Sequence, residues 1–227
     1  MKTILQLYPF ETRSVKVAKD KLTEIIVFFS GGASAFTYLR DNDAKFGKSY
    51  RIVGAFTDNP DAKGIGIMRQ ENIPLITLDL RAWCENHSCS WKDLEARKYY
   101  FAEACKRIRP YGADIILCAG FMLIITEPML LEYEERILNV HPADMTIKDT
   151  DGLPKYRGKY AVRDALRAGE QETRSTVHII TKEVDDGPIV ALSPPLSVVL
   201  GRTWQEHQEQ QKTLCDGPAY VEALSRC

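Results

Sequence analysis

The 227-residue chain contains no apolar run near the roughly 18–20 residues that a membrane-spanning helix requires. It has no excess of charge of either sign. Lys and Arg total 30 against 31 Asp and Glu, a formal net charge of -1, so no overall field calls for nucleic acid or an acidic membrane as partner. It has no repeat, no low-complexity tract and no linker rich in Gly, Ser or Pro, and a single domain over 1–227 is expected, with 1–22 as an N-terminal extension. The opening stretch lacks the length and the small-residue cleavage site of a secretory signal, which makes the cytoplasm the expected compartment. Cysteine is sparse and scattered (Cys84, Cys89, Cys105, Cys118, Cys215, Cys227) in a chain large enough to fold without cross-links, so free thiols are expected. Cys84-x-x-His87-x-Cys89 has ligand-type side chains. No second pair completes the four ligands of a structural zinc, and no metal is expected.

Strands and helices alternate along the chain. Glu24–Ser30, Arg51–Thr57, Pro74–Asp79, Asp114–Ala119 and Arg136–His141 are short apolar runs of strand length. Between them, Ala33–Arg40, Ala62–Glu71, Asp93–Arg109 and Pro128–Tyr133 carry helical patterns, as does Tyr160–Ala168 before the stop at Gly169. Thr176–Thr181 and Pro188–Leu192 predict two further strands around Val184-Asp185-Asp186-Gly187, and the tail from Thr203 is predicted helical with an interruption at Gly217-Pro218. The order predicts an α/β fold: an open, mostly parallel twisted sheet with helices on both faces. Ligands in such sheets sit outside the carboxyl ends of the strands, which directs attention to Ser30–Ala35, Ala119–Ile125, Asn139–Pro142 and Val184–Pro188.

Leu138-Asn139-Val140-His141-Pro142 is the most informative stretch. Positions i and i+2 of a strand share a face, so Asn139 and His141 can converge where Pro142 ends the ladder. An amide donor beside a titratable imidazole suits the stabilisation of an oxyanion in acyl transfer. The same residues also fit a turn cap and a satisfied loop histidine. Asp185 and Asp186 supply carboxylates able to orient the imidazole, although Asp-Asp-Gly-Pro is also ordinary turn chemistry. His178 is either a core residue or a supporting partner, and periodicity does not decide. Ser30-Gly31-Gly32-Ala33-Ser34 joins a strand to a helix and offers an anion seat of backbone N–H groups. It is neither a nucleotide-hydrolase phosphate loop nor Gly-x-Gly-x-x-Gly. Gly120 allows close approach of a ligand to backbone, or merely turns the chain.

Taken together and in order, Val27–Ser34, Asp58–Pro74, Asp114–Thr126, Ile137–Pro142, Pro154–Leu166 and Ser175–Val190 resemble the glycinamide ribonucleotide formyltransferase family. The resemblance implies a Rossmann-like formyltransferase fold and 10-formyltetrahydrofolate as co-substrate. It assigns catalysis to Asn139, His141 and Asp185, with Asp186 standing where the family has a glycine. It places Met122, Leu123 and Ile125, with Gly120 and Val140, along the pterin pocket. Gly31, Gly32, Ser34 and His178 fall on the side of a small-molecule amine. The implied acceptor is glycinamide ribonucleotide of purine synthesis; an amino-sugar nucleotide, or water in a hydrolase, are the alternatives. Monomer and homodimer both remain open. Two features depart from the family pattern: Ala33 and Ala35 replace a glycine and an asparagine of its phosphate loop, and the Ala143–Leu153 loop is longer.

Overall fold

The computed structural model describes residues 13–15 and 21–226. The strands are β1 (Thr23–Phe29), β2 (Tyr50–Thr57), β3 (Leu75–Thr77), β4 (Ile115–Cys118), β5 (Ile137–His141), β6 (Glu172–Thr173), β7 (Thr176–Ile179), β8 (Ile189–Leu192) and β9 (Leu196–Ser197). Seven form one sheet in the order β3-β2-β1-β4-β5-β7-β8, and β6 pairs with β9. Pairings from β3 through β5 are parallel, and β7 and β8 add an antiparallel edge. The expected open, mostly parallel sheet is therefore present. The chain runs outward from β1 to β3 and then returns to the other side of β1 with β4, so the topological switch lies between β1 and β4.

Alternation explains why these runs are apolar on both faces. Ile25, Val27 and Phe29 enter one core layer, while Ile26 and Phe28 enter the other. The first layer is closed by α1 (Ser34–Asn42), α2 (Gly64–Gln70) and α8 (Gly217–Leu224) through Phe36, Leu39, Met68, Tyr220 and Ala223. The second is closed by α3 (Leu80–Asn86), α4 (Leu94–Ile108) and α5 (Met129–Glu132), with Cys84, Phe101, Ile108 and Met129 buried. The remaining helices, α6 (Ala161–Arg167) and α7 (Trp204–Gln211), lie toward the carboxyl-terminal part of the chain.

Two sequence expectations need correction. The short helix α3 has no predicted counterpart; Asp79 starts it by accepting from the amides of Arg81 and Ala82. The tail is not interrupted at Gly217-Pro218. A π-helical turn, Lys212–Asp216, carries α7 into α8, and Pro218 falls in the first turn of α8, where a missing N–H costs least. Gly217 is needed there because a Cβ would lie 2.1 Å from the Tyr38 ring. Most of the expected N-terminal extension lies outside the described residues. Val15 within it packs into the core, and the Arg13 amide donates to Ile189 O at 3.1 Å.

Candidate active site

The carboxyl ends of β1, β4 and β5 bring the candidate residues to one edge. Asn139 pairs directly across the sheet with His178, and His141 with Thr176. The turn between β7 and β8 folds back over them, and its Asp185 carboxylate meets both imidazoles. Asp185 Oδ2 lies 3.4 Å from His141 Nδ1, and Oδ1 lies 3.8 Å from His178 Nε2. Asp185 holds φ 51, a left-handed conformation uncommon outside glycine and asparagine, so the turn spends backbone energy to aim this side chain. It is Asp185, rather than its neighbour Asp186, that reaches the pair.

Hydrogen bonding orients each ring. Burial holds His178 down to about 4, with Asp185 opposing and His141 reinforcing the shift. His178 is therefore neutral near pH 7, and its approach to Asp185 is not an ion pair. Its Nδ1 donates to Ile179 O at 3.1 Å, so Nε2 is an acceptor and takes an N–H from Asn139 Nδ2 at 3.1 Å. The Asn139 amide is oriented by this bond, and its Nδ2 keeps a second hydrogen. His141 is 3 % exposed, and its Nε2 donates to Tyr156 O at 2.7 Å. Both of its nitrogens thus face protein oxygens, Tyr156 O on one side and Asp185 Oδ2 on the other.

The backbone completes the site. Gly158, at φ 74, donates its amide to Asp185 Oδ2 at 2.7 Å. Tyr156 O and Gly158 N are contributions that no side-chain pattern announces, although Pro154–Leu166 is among the segments carrying the resemblance. Gly120, at φ 75, has open space where a Cβ would be. Met122 is 65 % exposed, while Ile125 and Val140 bury their side chains in the core. Leu123 is partly buried between these extremes. Gly31, Gly32 and Ser34 are exposed at the start of α1. Ala33 occupies φ 52, ψ 37 there, a left-handed residue with a Cβ. Replacing Ala33 with glycine should relieve about 1–2 kcal/mol of strain against roughly 0.4–1 kcal/mol of added unfolded-chain entropy. A small rise in Tm is the expected result, and a fall would show that the buried methyl matters more than the strain.

The Cys84–His87–Cys89 cluster is used otherwise. The His87 ring stacks on Trp83 with centroids 4.0 Å apart, and its Nδ1 donates to Trp83 O at 2.7 Å. Burial pushes the Cys84 thiol up to about 11. Among the described residues, no group of three His, Cys, Asp or Glu side chains is placed to hold a metal ion. No described helix is long and apolar enough to cross a membrane.

Two buried groups give stability opposite slopes against pH. The ordinary His178 value of 6.5 falls to about 4 on folding, so its contribution is complete above 6.5 and declines as pH falls toward 4. Asp216, which accepts from Ser175 Oγ at 2.6 Å, is raised by burial from 3.8 to about 7. Its contribution is complete below 3.8 and is lost as pH rises toward 7. Each slope is at most about 1.4 kcal/mol per pH unit. Between those limits, urea unfolding of His178→Gln should lose stability with rising pH more steeply than the parent. Asp216→Asn should deviate in the opposite direction. Identical profiles for all three proteins would contradict both assignments.

Fold and site define a doubly wound α/β protein with an oriented amide donor and a carboxylate–imidazole pair at its strand ends. The chain belongs to the formyl transferase family, whose model matches residues 23–221. Over 167 residues it is 32% identical to phosphoribosylglycinamide formyltransferase of Escherichia coli K12, covering 73% of this chain and 69% of that one. It is 29% identical over 180 residues to the trifunctional purine biosynthetic protein adenosine-3 of Drosophila melanogaster, covering 78% of this chain but only 12% of the much longer relative. Among solved structures, glycinamide ribonucleotide transformylase 1 of Symbiobacterium toebii superposes with a TM-score of 0.73 at 27% identity, covering 89% of this chain and 86% of that one.

Proposed function

We propose that this protein is a single-domain cytoplasmic enzyme that moves the formyl group of 10-formyltetrahydrofolate to the primary amine of a small phosphorylated molecule, with glycinamide ribonucleotide as the acceptor. The observation that carries this reading is the meeting of Asn139, His141, His178 and Asp185 at the ends of β5 and β7 in a chain of the formyl transferase family. The open backbone at Gly120 and the exposed Met122 suit a flat heterocycle that approaches the main chain, and the folate supplies the formyl carbon when bound. The remaining Asn139 N–H faces the oxygen that gains charge as the amine attacks. His141 and Asp185 hold the proton released by the amine and return it to the departing folate nitrogen, so protons balance over the cycle. The α1 start, with Gly31, Gly32 and Ser34, receives the acceptor's anionic group.

The test is turnover of 10-formyltetrahydrofolate with glycinamide ribonucleotide, with an amino-sugar nucleotide, and with water alone. Formylation should require glycinamide ribonucleotide. Equal formate release without any amine would replace transfer by hydrolysis. Preference for the amino sugar would move the acceptor assignment and leave the donor side intact.

A further inference from the structure

Three loops of the carboxyl edge meet at Ser30, the residue following β1. Its amide donates to Gly120 O at 3.1 Å, and its carbonyl accepts from Asn59 Nδ2 at 3.0 Å. Its hydroxyl donates to Asp58 Oδ1 at 2.5 Å and accepts the Met122 amide at 3.0 Å. The adjoining Gly31 carbonyl accepts from the Gly64 amide at 2.9 Å. A hydroxyl has one hydrogen. Committing it to Asp58 leaves the oxygen lone pairs for Met122, so the carboxylate determines which way the hydroxyl works.

Asp58 follows β2, and the charge of a buried arginine acts on it. Arg97 on α4 is 6 % exposed, with Nη2 donating to Trp91 O at 2.5 Å and Nε buried without a hydrogen-bond partner among the described residues. Burial raises the Asp58 carboxyl, and the Ser30 hydroxyl, its own backbone and the Arg97 charge all pull the other way. A half-buried carboxylate, on which the buried Arg97 charge acts, therefore orients the hydroxyl that holds the Met122 amide.

We propose that Ser30 and Asp58 are positioning residues for the formyl-donor strip: Asp58 orients the Ser30 hydroxyl, and that hydroxyl fixes the Met122 amide and hence the direction of the following peptide groups. The assignment of this strip to the donor rests on the folate reading above. Both residues act through Met122 rather than on the reacting atoms.

The full chain carrying Ser30→Ala, Ser30→Thr or Asp58→Asn supplies the test, with two readouts. Hydrogen exchange at the Met122 amide, measured without ligand, should quicken about tenfold in Ser30→Ala and return toward the parent rate in Ser30→Thr. The KM for 10-formyltetrahydrofolate should rise about tenfold in Ser30→Ala, with kcat within about threefold and the acceptor KM little changed. Asp58→Asn keeps an oxygen that can accept from Ser30, and its folate KM should rise about threefold. Unchanged Met122 exchange in Ser30→Ala overturns the proposal, as does a loss confined to kcat. Equal losses for both substrates with a lowered Tm would also overturn it, marking a general structural role. Faster Met122 exchange in a chain that never turns over folate would sink the folate reading and leave Ser30 as the holder of the strip.

Discussion

Asp185→Asn should lower kcat by about 10²–10⁴ while leaving the fold intact. The substitution isolates proton chemistry because asparagine satisfies the structural demands of the position. Asparagine tolerates the left-handed backbone at φ 51 better than most residues. Its carbonyl oxygen can take over the Gly158 amide now held at 2.7 Å by Oδ2. What disappears is the negative charge 3.4 Å from His141 Nδ1, and with it the partner that accepts or shares the proton on that line. Urea unfolding should place the variant close to the parent, and steady-state kinetics should show the loss in kcat. Asp186→Asn is the matched control, with activity expected within about threefold of the parent because its carboxylate is not the one aimed at His141. Full activity in Asp185→Asn would remove the carboxylate from the mechanism, and a large loss in Asp186→Asn would show that the turn presents the other aspartate during the reaction.

The parallel part of the sheet was readable because burial on both faces leaves almost no polar residue in β1 or β4, and a run such as Ile25–Phe29 has no other ready explanation. That Asn139 and His141 share one face of β5 followed from strand periodicity alone. Other parts of the site depend on facts that side-chain patterns do not encode. Tyr156 acts through its carbonyl and Gly158 through its amide, and any residue type carries those groups. The choice between Asp185 and Asp186 depends on the handedness of one turn. The neutral state of His178 depends on burial contributed by elements distant in sequence, which also decides that Asn139 presents a donor. The helix α3 escaped because it is short and its signal is one capping aspartate, and the tail misled because a glycine–proline pair ordinarily breaks a helix, whereas here a π turn absorbs it. At the acceptor end Ala33 and Ala35 were visible as residues. Their conformational meaning, with Ala33 held left-handed, required the fold.

The second large effect is expected at a residue with no side chain to take part in the chemistry. A Cβ at Gly187 would stand 1.8 Å from Ile179 O, 3.0 Å from the carbonyl carbon behind it and 3.2 Å from the Thr181 methyl. The first two are backbone atoms of β7, and they cannot step aside as a flexible side chain would. The strand pair is already irregular here, with the β7–β8 register shifting between Val177 and His178 and the Ile179 amide donating to Pro188 O at 2.9 Å. Gly187→Ala must therefore push the 184–188 turn away from the sheet, at a cost of about 1–3 kcal/mol for the forced displacement, or more if the Pro188 bond is lost. The same movement carries Asp185 off His141, and because a displacement of about 1 Å in a reacting constellation can cost on the order of 10²-fold, activity should fall by at least that factor even well below the melting temperature. The two losses have one cause, which distinguishes this variant from Asp185→Asn. Urea unfolding should report destabilisation in Gly187→Ala alone, whereas kinetics should report deep losses in both. A second substitution, Asp185→Asn placed on Gly187→Ala, should then add far less than its full effect, since the carboxylate it removes has already left its post. If the two losses multiply in full, Gly187 supports the fold by a route that does not pass through Asp185.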